Sequence, residues 1–317
     1  MENDSGNYDI IGDIHGKTSK LEPLLLALGY SKSDSGYYTH PTRKVIFLGD
    51  FIDGGNEHLG VINIVKSMVE NNAAYAILAN HEFNAISFHT LHPATGLPLR
   101  EHSDKNIGQH ESFIIDYQYH RKEMIEVIDW FKTLPLFIDL PEIRAIHACW
   151  SDYEIDKIRH YLDKNNAINP ELFEEFLVKA NTENTPEFDA IEVLLKGLEV
   201  PLPEGQSYSD NKGNERHSTR VKWWLSNGET YRDYALVPSN TIVPDTPIRK
   251  ELIKHYFYDK REKPVFIGHY WLTGKPELQA KNVACLDYSA GKDGEQISYR
   301  WNTGDKELKI ENYFSVS

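Results

Sequence analysis

Three short apolar runs near the N-terminus each stop on a cluster of polar, chemistry-bearing side chains. Tyr8-Asp9-Ile10-Ile11 runs into Gly12-Asp13-Ile14-His15-Gly16. Val45-Ile46-Phe47-Leu48 runs into Gly49-Asp50-Phe51-Ile52-Asp53-Gly54-Gly55. Tyr75 to Leu78 runs into Ala79-Asn80-His81-Glu82. Two stretches between them have helical spacing. Leu21, Leu24, Leu25 and Leu28 share one face of Lys17–Gly29, with Gly29 as a C-terminal stop. Leu59, Ile62, Val65, Met68 and Val69 lie on one side of Leu59–Val69. The order is β-α-β-α-β, the pattern of a sheet covered by helices. Ligands of such sheets bind beyond the carboxyl ends of the strands. The three polar clusters are therefore expected on one rim, although they are far apart in the chain.

Farther along, Lys122–Lys132 reads as a helix, and Leu136–Leu140 and Arg144–Ala148 as strands. Val265–Ile267, Val283–Leu286, Gln296–Trp301 and Leu308–Ile310 read as the strands of a second sheet. The expected fold is α/β, a two-sheet β-sandwich core flanked by helices, in a single domain over residues 1–317. Residues 151–245 hold helical stretches and a loop rich in Ser, Gly and Asn at Pro203–Ser218. They are expected to form a helical insertion that shapes the substrate pocket.

Composition removes several function classes. No apolar run approaches the ~20 residues that span a bilayer. Met1–Asn7 is polar and acidic, without the basic start and apolar core of a signal peptide. The formal net charge is −14, which disfavours nucleic-acid backbones and anionic membranes. The two cysteines, Cys149 and Cys285, lie in apolar stretches and offer no disulfide framework, so a reducing cytoplasm is the expected compartment.

The polar clusters suit a metal site. Two further strand-end histidines, His147 in Ile146-His147-Ala148 and His269 in Gly268-His269-Tyr270, join them. Carboxylate, amide oxygen and imidazole are donors for zinc, iron or manganese. Asp13 and His15, two apart on an extended strand end, would point the same way. Asp50 offers two oxygens and could bridge two ions. Asn80 supplies an amide oxygen. Two ions about 3.5–4 Å apart share a water and acidify it. His89, His92, His102, His110 and His120 fit no metal spacing and read as surface or loop residues. Trp223 and Trp224 read as core.

Taken in order, these segments resemble the calcineurin-like metallophosphoesterase superfamily. They are closest to its branch of Ser/Thr phosphoprotein phosphatases and bacterial symmetrical diadenosine tetraphosphatases. That pattern is GDxHG, GDxxDRG, GNHE, a histidine after a strand, then GH. Leu134-Pro135-Leu136 before His147, and Leu286-Asp287-Tyr288-Ser289-Ala290-Gly291, extend the likeness, which covers residues 8–150 and 263–300. The resemblance implies a four-layer fold. It implies Asp13 and His15 on a first ion, Asp50 between the ions, and Asn80, His147 and His269 on a second. It implies His81 as general acid, oriented by Asp53.

Two departures stand out. Gly54 occupies the place of an arginine, and Ile77-Leu78-Ala79 before Asn80 contains none. Those arginines clamp phosphate with a planar fork. Arg220 is the first candidate to replace them, and Arg232 the second. The resemblance implies a metal-dependent phosphatase with two divalent ions (Mn, Fe or Zn). The expected reaction is phosphomonoester hydrolysis of the phosphoprotein phosphatase type, on Ser/Thr or Tyr. The alternative is a dinucleoside polyphosphate hydrolase, and the third reading a catalytically silent scaffold. The expected partner is a phosphorylated protein or small phosphorylated molecule, with no nucleic acid and no membrane.

Overall fold

A computed structural model describes residues 6–209, 213–237 and 241–316. The polar start at 1–5 and part of the Ser/Gly/Asn-rich loop, 210–212, lie outside the described residues. Ten strands form two five-stranded sheets. They are β1 (Tyr8–Ile11), β2 (Lys44–Phe47), β3 (Ala74–Ala76), β4 (Phe137–Asp139), β5 (Arg144–Ile146), β6 (Val265–Ile267), β7 (Leu278–Ala280), β8 (Val283–Cys285), β9 (Ile297–Trp301) and β10 (Tyr313–Ser315). The first sheet has the order β10-β9-β1-β2-β3, and the second β7-β8-β6-β5-β4. Strands β1, β2 and β3 are parallel, as the alternating pattern requires, and so are β5, β6 and β8.

The two faces of each strand explain the layering. Ile10 and Ile46 point inward and meet Ala145, Phe266, Ala284, Tyr299 and Trp301 between the sheets. Ile11, Val45 and Phe47 point outward and pack with Leu21 and Leu24 of α1 (Thr18–Ala27) and Val61 and Val65 of α2 (His58–Glu70). Strands buried on both faces read as near-continuous apolar runs, which is why they stand out in the sequence. The polar stretch after residue 80 resolves into α3 (Asn80–His89) and α4 (Asp104–Asp116), followed by α5 (Arg121–Phe131). Residues 151–245 begin with α6 (Asp152–Ile158), α7 (Phe173–Ala180) and α8 (Pro186–Lys196). Among the described residues no helix is long and apolar enough to cross a membrane.

The late strands do not all share one sheet. Only β6 and β8 join the second sheet from that group, beside β4 and β5. Strand β9 returns to the first sheet and runs antiparallel to β1, Ile10 opposite Tyr299. Leu308–Ile310 is not a strand. Leu308 is buried against the inter-sheet core, a 3₁₀ turn follows at Ile310–Asn312, and Tyr313–Ser315 is the edge strand. An apolar pattern alone does not separate a strand from a segment tucked against the core.

Asp9 in β1 has no solvent exposure, so its charge must be compensated. It accepts hydrogen bonds from Arg43 Nε at 2.9 Å, Arg300 Nε at 2.8 Å and Tyr30 Oη at 3.1 Å. Arg43 precedes β2 and Arg300 sits in β9, so one carboxylate ties three neighbouring strands. Asp9→Ala is expected to cost about 3–5 kcal/mol, because it leaves arginines facing a buried gap. Urea unfolding of the variant beside the wild type measures this.

Candidate metal centre and catalytic cleft

The rim is built by loops that leave the strands sharply. His15, Asp50, Asp53 and His269 all adopt left-handed backbone, with φ of 49°, 50°, 65° and 70°. Such conformations persist in non-glycine residues where surrounding contacts impose them. His15 is therefore not on an extended strand end, and its alignment with Asp13 comes from the turn. Ile14 and His15 donate their N–H groups to Asp50 O at 3.0 and 2.8 Å, which stitches the first loop to the second. The buried Glu82 accepts the N–H groups of Asp50, Phe51 and Ile52 at 2.9, 2.8 and 3.3 Å. At Gly268 a Cβ would stand 2.1 Å from Asp13 Oδ1, so only glycine lets this loop approach.

These loops bring Asp13, His15, Asp50, Asn80, His147 and His269 together, all buried. Asp50 Oδ2 lies 3.4 Å from His147 Nε2, 3.7 Å from His15 Nε2 and 3.9 Å from His81 Nε2. It has no hydrogen-bond partner among the described residues. Two triads share this carboxylate, His15–Asp50–His81 and Asp50–His147–His269, each with ligand atoms within 4.8 Å of one another. Asp13 Oδ2 lies 3.9 Å from His15 Nε2 and accepts the N–H of His269 at 3.0 Å.

The imidazoles are oriented from behind. His147 Nδ1 faces Leu48 O at 2.8 Å and His15 Nδ1 faces Ile52 O at 3.1 Å. A proton on each Nδ1 leaves the Nε2 lone pair aimed inward, the arrangement of metal-ligating histidines. Asn80 Oδ1 lies 2.9 Å from His147 Nε2 and 2.8 Å from His269 Nδ1. Reversed, the amide would instead turn its two N–H donors toward the imidazoles, with Leu195 O also 3.3 Å from its nitrogen. Three lone-pair donors converging beside an unpartnered buried carboxylate fit divalent cations, and the N/O set admits Mn, Fe or Zn.

The local field is strong. Burial raises the Asp13 carboxyl, and the Asp287 and Asp50 carboxylates raise it further. Burial acts the same way on Asp50, but the His147, His81 and His15 imidazoles outweigh it and hold it well below the usual range. Burial alone would lower His81; the Asp50 and Asp53 carboxylates reverse this and raise it to about 9. His269 is pushed well down by burial and by the nearby Arg220.

His81 Nδ1 meets Asp53 Oδ2 at 2.6 Å. The other oxygen, Asp53 Oδ1, meets His110 Nδ1 at 2.9 Å, and His110 Nε2 meets His89 Nε2 at 3.1 Å. His110 is therefore not a surface residue. It is 4% exposed on α4 and stacks on Phe113 with centroids 4.9 Å apart. Its helical spacing with Phe113 and Tyr117 was the available signal. His89 is half-buried, and burial with the neighbouring His110 lowers it to about 4. His102 stacks on Phe88 at 3.8 Å.

The arginine candidates separate. Gly54 has φ +81°, a backbone that disfavours any side chain there. Arg220 is half-buried, close enough to His269 to shift it, and its guanidinium makes no hydrogen bond or ion pair among the described residues. Arg232 is committed elsewhere, to Asp245 Oδ2 at 3.0 Å and Val243 O at 3.1 Å. Trp223 and Trp224 are core, with Trp223 Nε1 donating to Tyr270 Oη at 3.0 Å. Cys149 and Cys285 are buried free thiols. A cleft of about 630 Å³ opens on His15, His81 and Asp53.

His110 positions Asp53 and, through it, His81. His110→Phe, which keeps a ring but loses the donor, is expected to lower kcat about tenfold with KM little changed, the loss of one hydrogen bond to a charged group. His110→Asn, which retains a donor near Nδ1, should recover most of that rate. Steady-state kinetics of both variants, at equal melting temperature, separate positioning from folding.

Known proteins resemble this chain in sequence and in fold. The sequence matches the calcineurin-like phosphoesterase family over residues 7–211. One curated relative is the bis(5'-nucleosyl)-tetraphosphatase PrpE (asymmetrical) of Oceanobacillus iheyensis, 30% identical over 141 residues, covering 44% of this chain and 54% of the relative. The PrpE of Bacillus cereus strain AH187 is 45% identical over 143 residues, covering 44% and 55%. The chain thus spans about half the length of the curated relatives it matches. A protein serine/threonine phosphatase from Saccharomyces cerevisiae superposes with a TM-score of 0.52 at 12% identity, over 98% of this chain and 79% of that one, a likeness of fold alone. With this match and a rim of candidate metal ligands, the chain belongs to the calcineurin-like phosphoesterase family, metal-dependent hydrolases of phosphoric esters.

Proposed function

We propose that Asp13, His15, Asp50, Asn80, His147 and His269 hold two divalent cations, and that the chain uses them to hydrolyse dinucleoside polyphosphates. The observation behind the metal assignment is Asp50 Oδ2, a buried carboxylate oxygen ringed by three imidazoles and given no hydrogen bond. The sequence favoured a phosphoprotein substrate. Support for the dinucleotide reading comes from the relatives, since two at 30% and 45% identity bear the tetraphosphatase name, whereas the protein phosphatase likeness rests on 12% identity.

A bound cation pair supplies Lewis acidity, offsetting charge on phosphoryl oxygens and acidifying nearby water. The chain supplies the rest. His81, held by Asp53 through Nδ1, presents a protonated Nε2 to the leaving phosphate oxygen and delivers that proton as water adds to phosphorus and the phosphoanhydride P–O bond breaks. Asp53, lowered to about 2 despite its burial by bonds from His110 and His81, stays ionised and keeps His81 charged. Arg220 approaches from the His269 side and would grip phosphate oxygens in place of the arginine absent at Gly54. On this reading residues 151–245 supply that arginine.

His81→Asn is expected to lower kcat by about 10²–10⁴-fold while leaving metal content intact, the usual contribution of a general acid. Asp50→Ala should abolish stoichiometric manganese binding, read by metal analysis after gel filtration, with the circular dichroism spectrum retained. Parallel assays with diadenosine tetraphosphate and a phosphoserine peptide test the substrate. Faster turnover of the peptide would reject the dinucleotide reading, and manganese-loaded protein inert on both would reject the enzyme.

A further inference from the structure

The chain has six tryptophans, and Trp271 is the one not buried, at 54% exposure. An indole left in water on the wall of a catalytic cleft needs a reason, because its apolar face is lost to packing. Its surroundings show that it is held there. Trp271 has left-handed backbone, φ 50°, and its N–H donates to Asp287 Oδ2 at 2.6 Å. The other oxygen of Asp287, itself 1% exposed, accepts the N–H of Ser289 at 2.9 Å, and Ser289 Oγ donates to Leu272 O at 3.2 Å. One buried carboxylate thus lashes the Trp271 loop to the loop after β8.

The second loop is pinned from the opposite side. Lys20 Nζ donates to three carbonyls, Ala290 O at 2.6 Å, Lys292 O at 2.9 Å and Gly294 O at 2.8 Å. This fixes the backbone that carries Lys292. The Lys292 ammonium lies 5.1 Å from the Trp271 ring centroid and has no carboxylate partner among the described residues. It is also the one lysine or arginine among the described residues that line the cleft with His15 and His81. A rigid wall beside the phosphoryl site therefore carries a half-exposed indole with a lysine ammonium lying over its ring.

We propose that Trp271 and Lys292 form a nucleoside subsite, in which a purine stacks on the indole and Lys292 moves from the ring to the polyphosphate oxygens. This rests on the dinucleotide reading above and extends it by naming the residues that select the substrate. A nucleobase matches the site because it offers a flat π-face, sequence-tolerant stacking and an adjacent anion. A phosphoserine or phosphothreonine residue carries its phosphate on a short aliphatic side chain with no π-face to lay on the indole.

The test compares wild type, Trp271→Ala, Trp271→Phe and Lys292→Gln, all with manganese. The readout is the ratio of kcat/KM for diadenosine tetraphosphate to that for a phosphoserine peptide. Trp271→Ala is expected to lower this ratio about tenfold or more, the scale of one lost base–aromatic stack, and Trp271→Phe should restore part of it. Lys292→Gln should lower it several-fold and flatten its salt dependence. A ratio unchanged in both Trp271→Ala and Lys292→Gln, with melting temperatures retained, overturns the subsite. A second arm needs no turnover: ADP titrated into metal-free protein should quench tryptophan emission in the wild type and not in Trp271→Phe. Should the wild type hydrolyse neither substrate, the proposed activity falls and the quench alone decides. Equal quenching in both proteins, or none in either, overturns the subsite.

Discussion

The site depends on one carboxylate held inside the protein among imidazoles. Asp50 is 1% exposed, and its Oδ2 faces His15, His81 and His147 at 3.4–3.9 Å without a hydrogen bond among the described residues. A buried charge in that position is costly unless positive charge gathers round it. Protonated imidazoles can supply that charge, and so can cations bound between the same atoms. Competition between protons and metal for one set of lone pairs makes metal affinity fall as pH falls. The surrounding structure serves this arrangement: Glu82 fixes the backbone of Asp50, while Leu48 O and Ile52 O turn two imidazoles inward.

The fold delivers the rim cheaply because parallel strands end together. β1, β2 and β3 lie side by side in the first sheet, and β5 and β6 side by side in the second. Five separate segments therefore need only short turns to gather their donors on one rim. Those turns carry the strain, with left-handed backbone at His15, Asp50, Asp53 and His269 and a glycine forced at 268. Regular strands thus set the separation, and unusual turns set the aim.

How much of this was legible in the sequence follows from where the information lies. Asp13, His15, Asp50, Asn80, His81, His147 and His269 were readable because each sits at the end of an apolar run, so local pattern and chemistry coincide. Glu82, His110, Asp287 and Lys20 were not. Each acts through a partner far away in the chain: His110 is 57 residues from Asp53, and Lys20 is 270 from Ala290. Sheet membership of the late strands was invisible for the same reason, since an apolar strand does not say which edge it joins. Arg220 was preferred to Arg232 in the sequence without a structural reason. The pairing of Arg232 with Asp245 and the proximity of Arg220 to His269 now separate them.

The return of β9 to the first sheet has a consequence for biosynthesis. As the chain leaves the ribosome, β1, β2 and β3 are complete long before residues 297–301 are made. Until then the flank of β1 offers unpaired N–H and C=O groups, an edge that templates aggregation. Asp9 waits in that edge with only Arg43 and Tyr30, its third partner Arg300 being still untranslated. A half-made chain thus carries a sticky seam that closes only when residues 297–301 arrive, which makes chaperone shelter during translation most valuable over that interval.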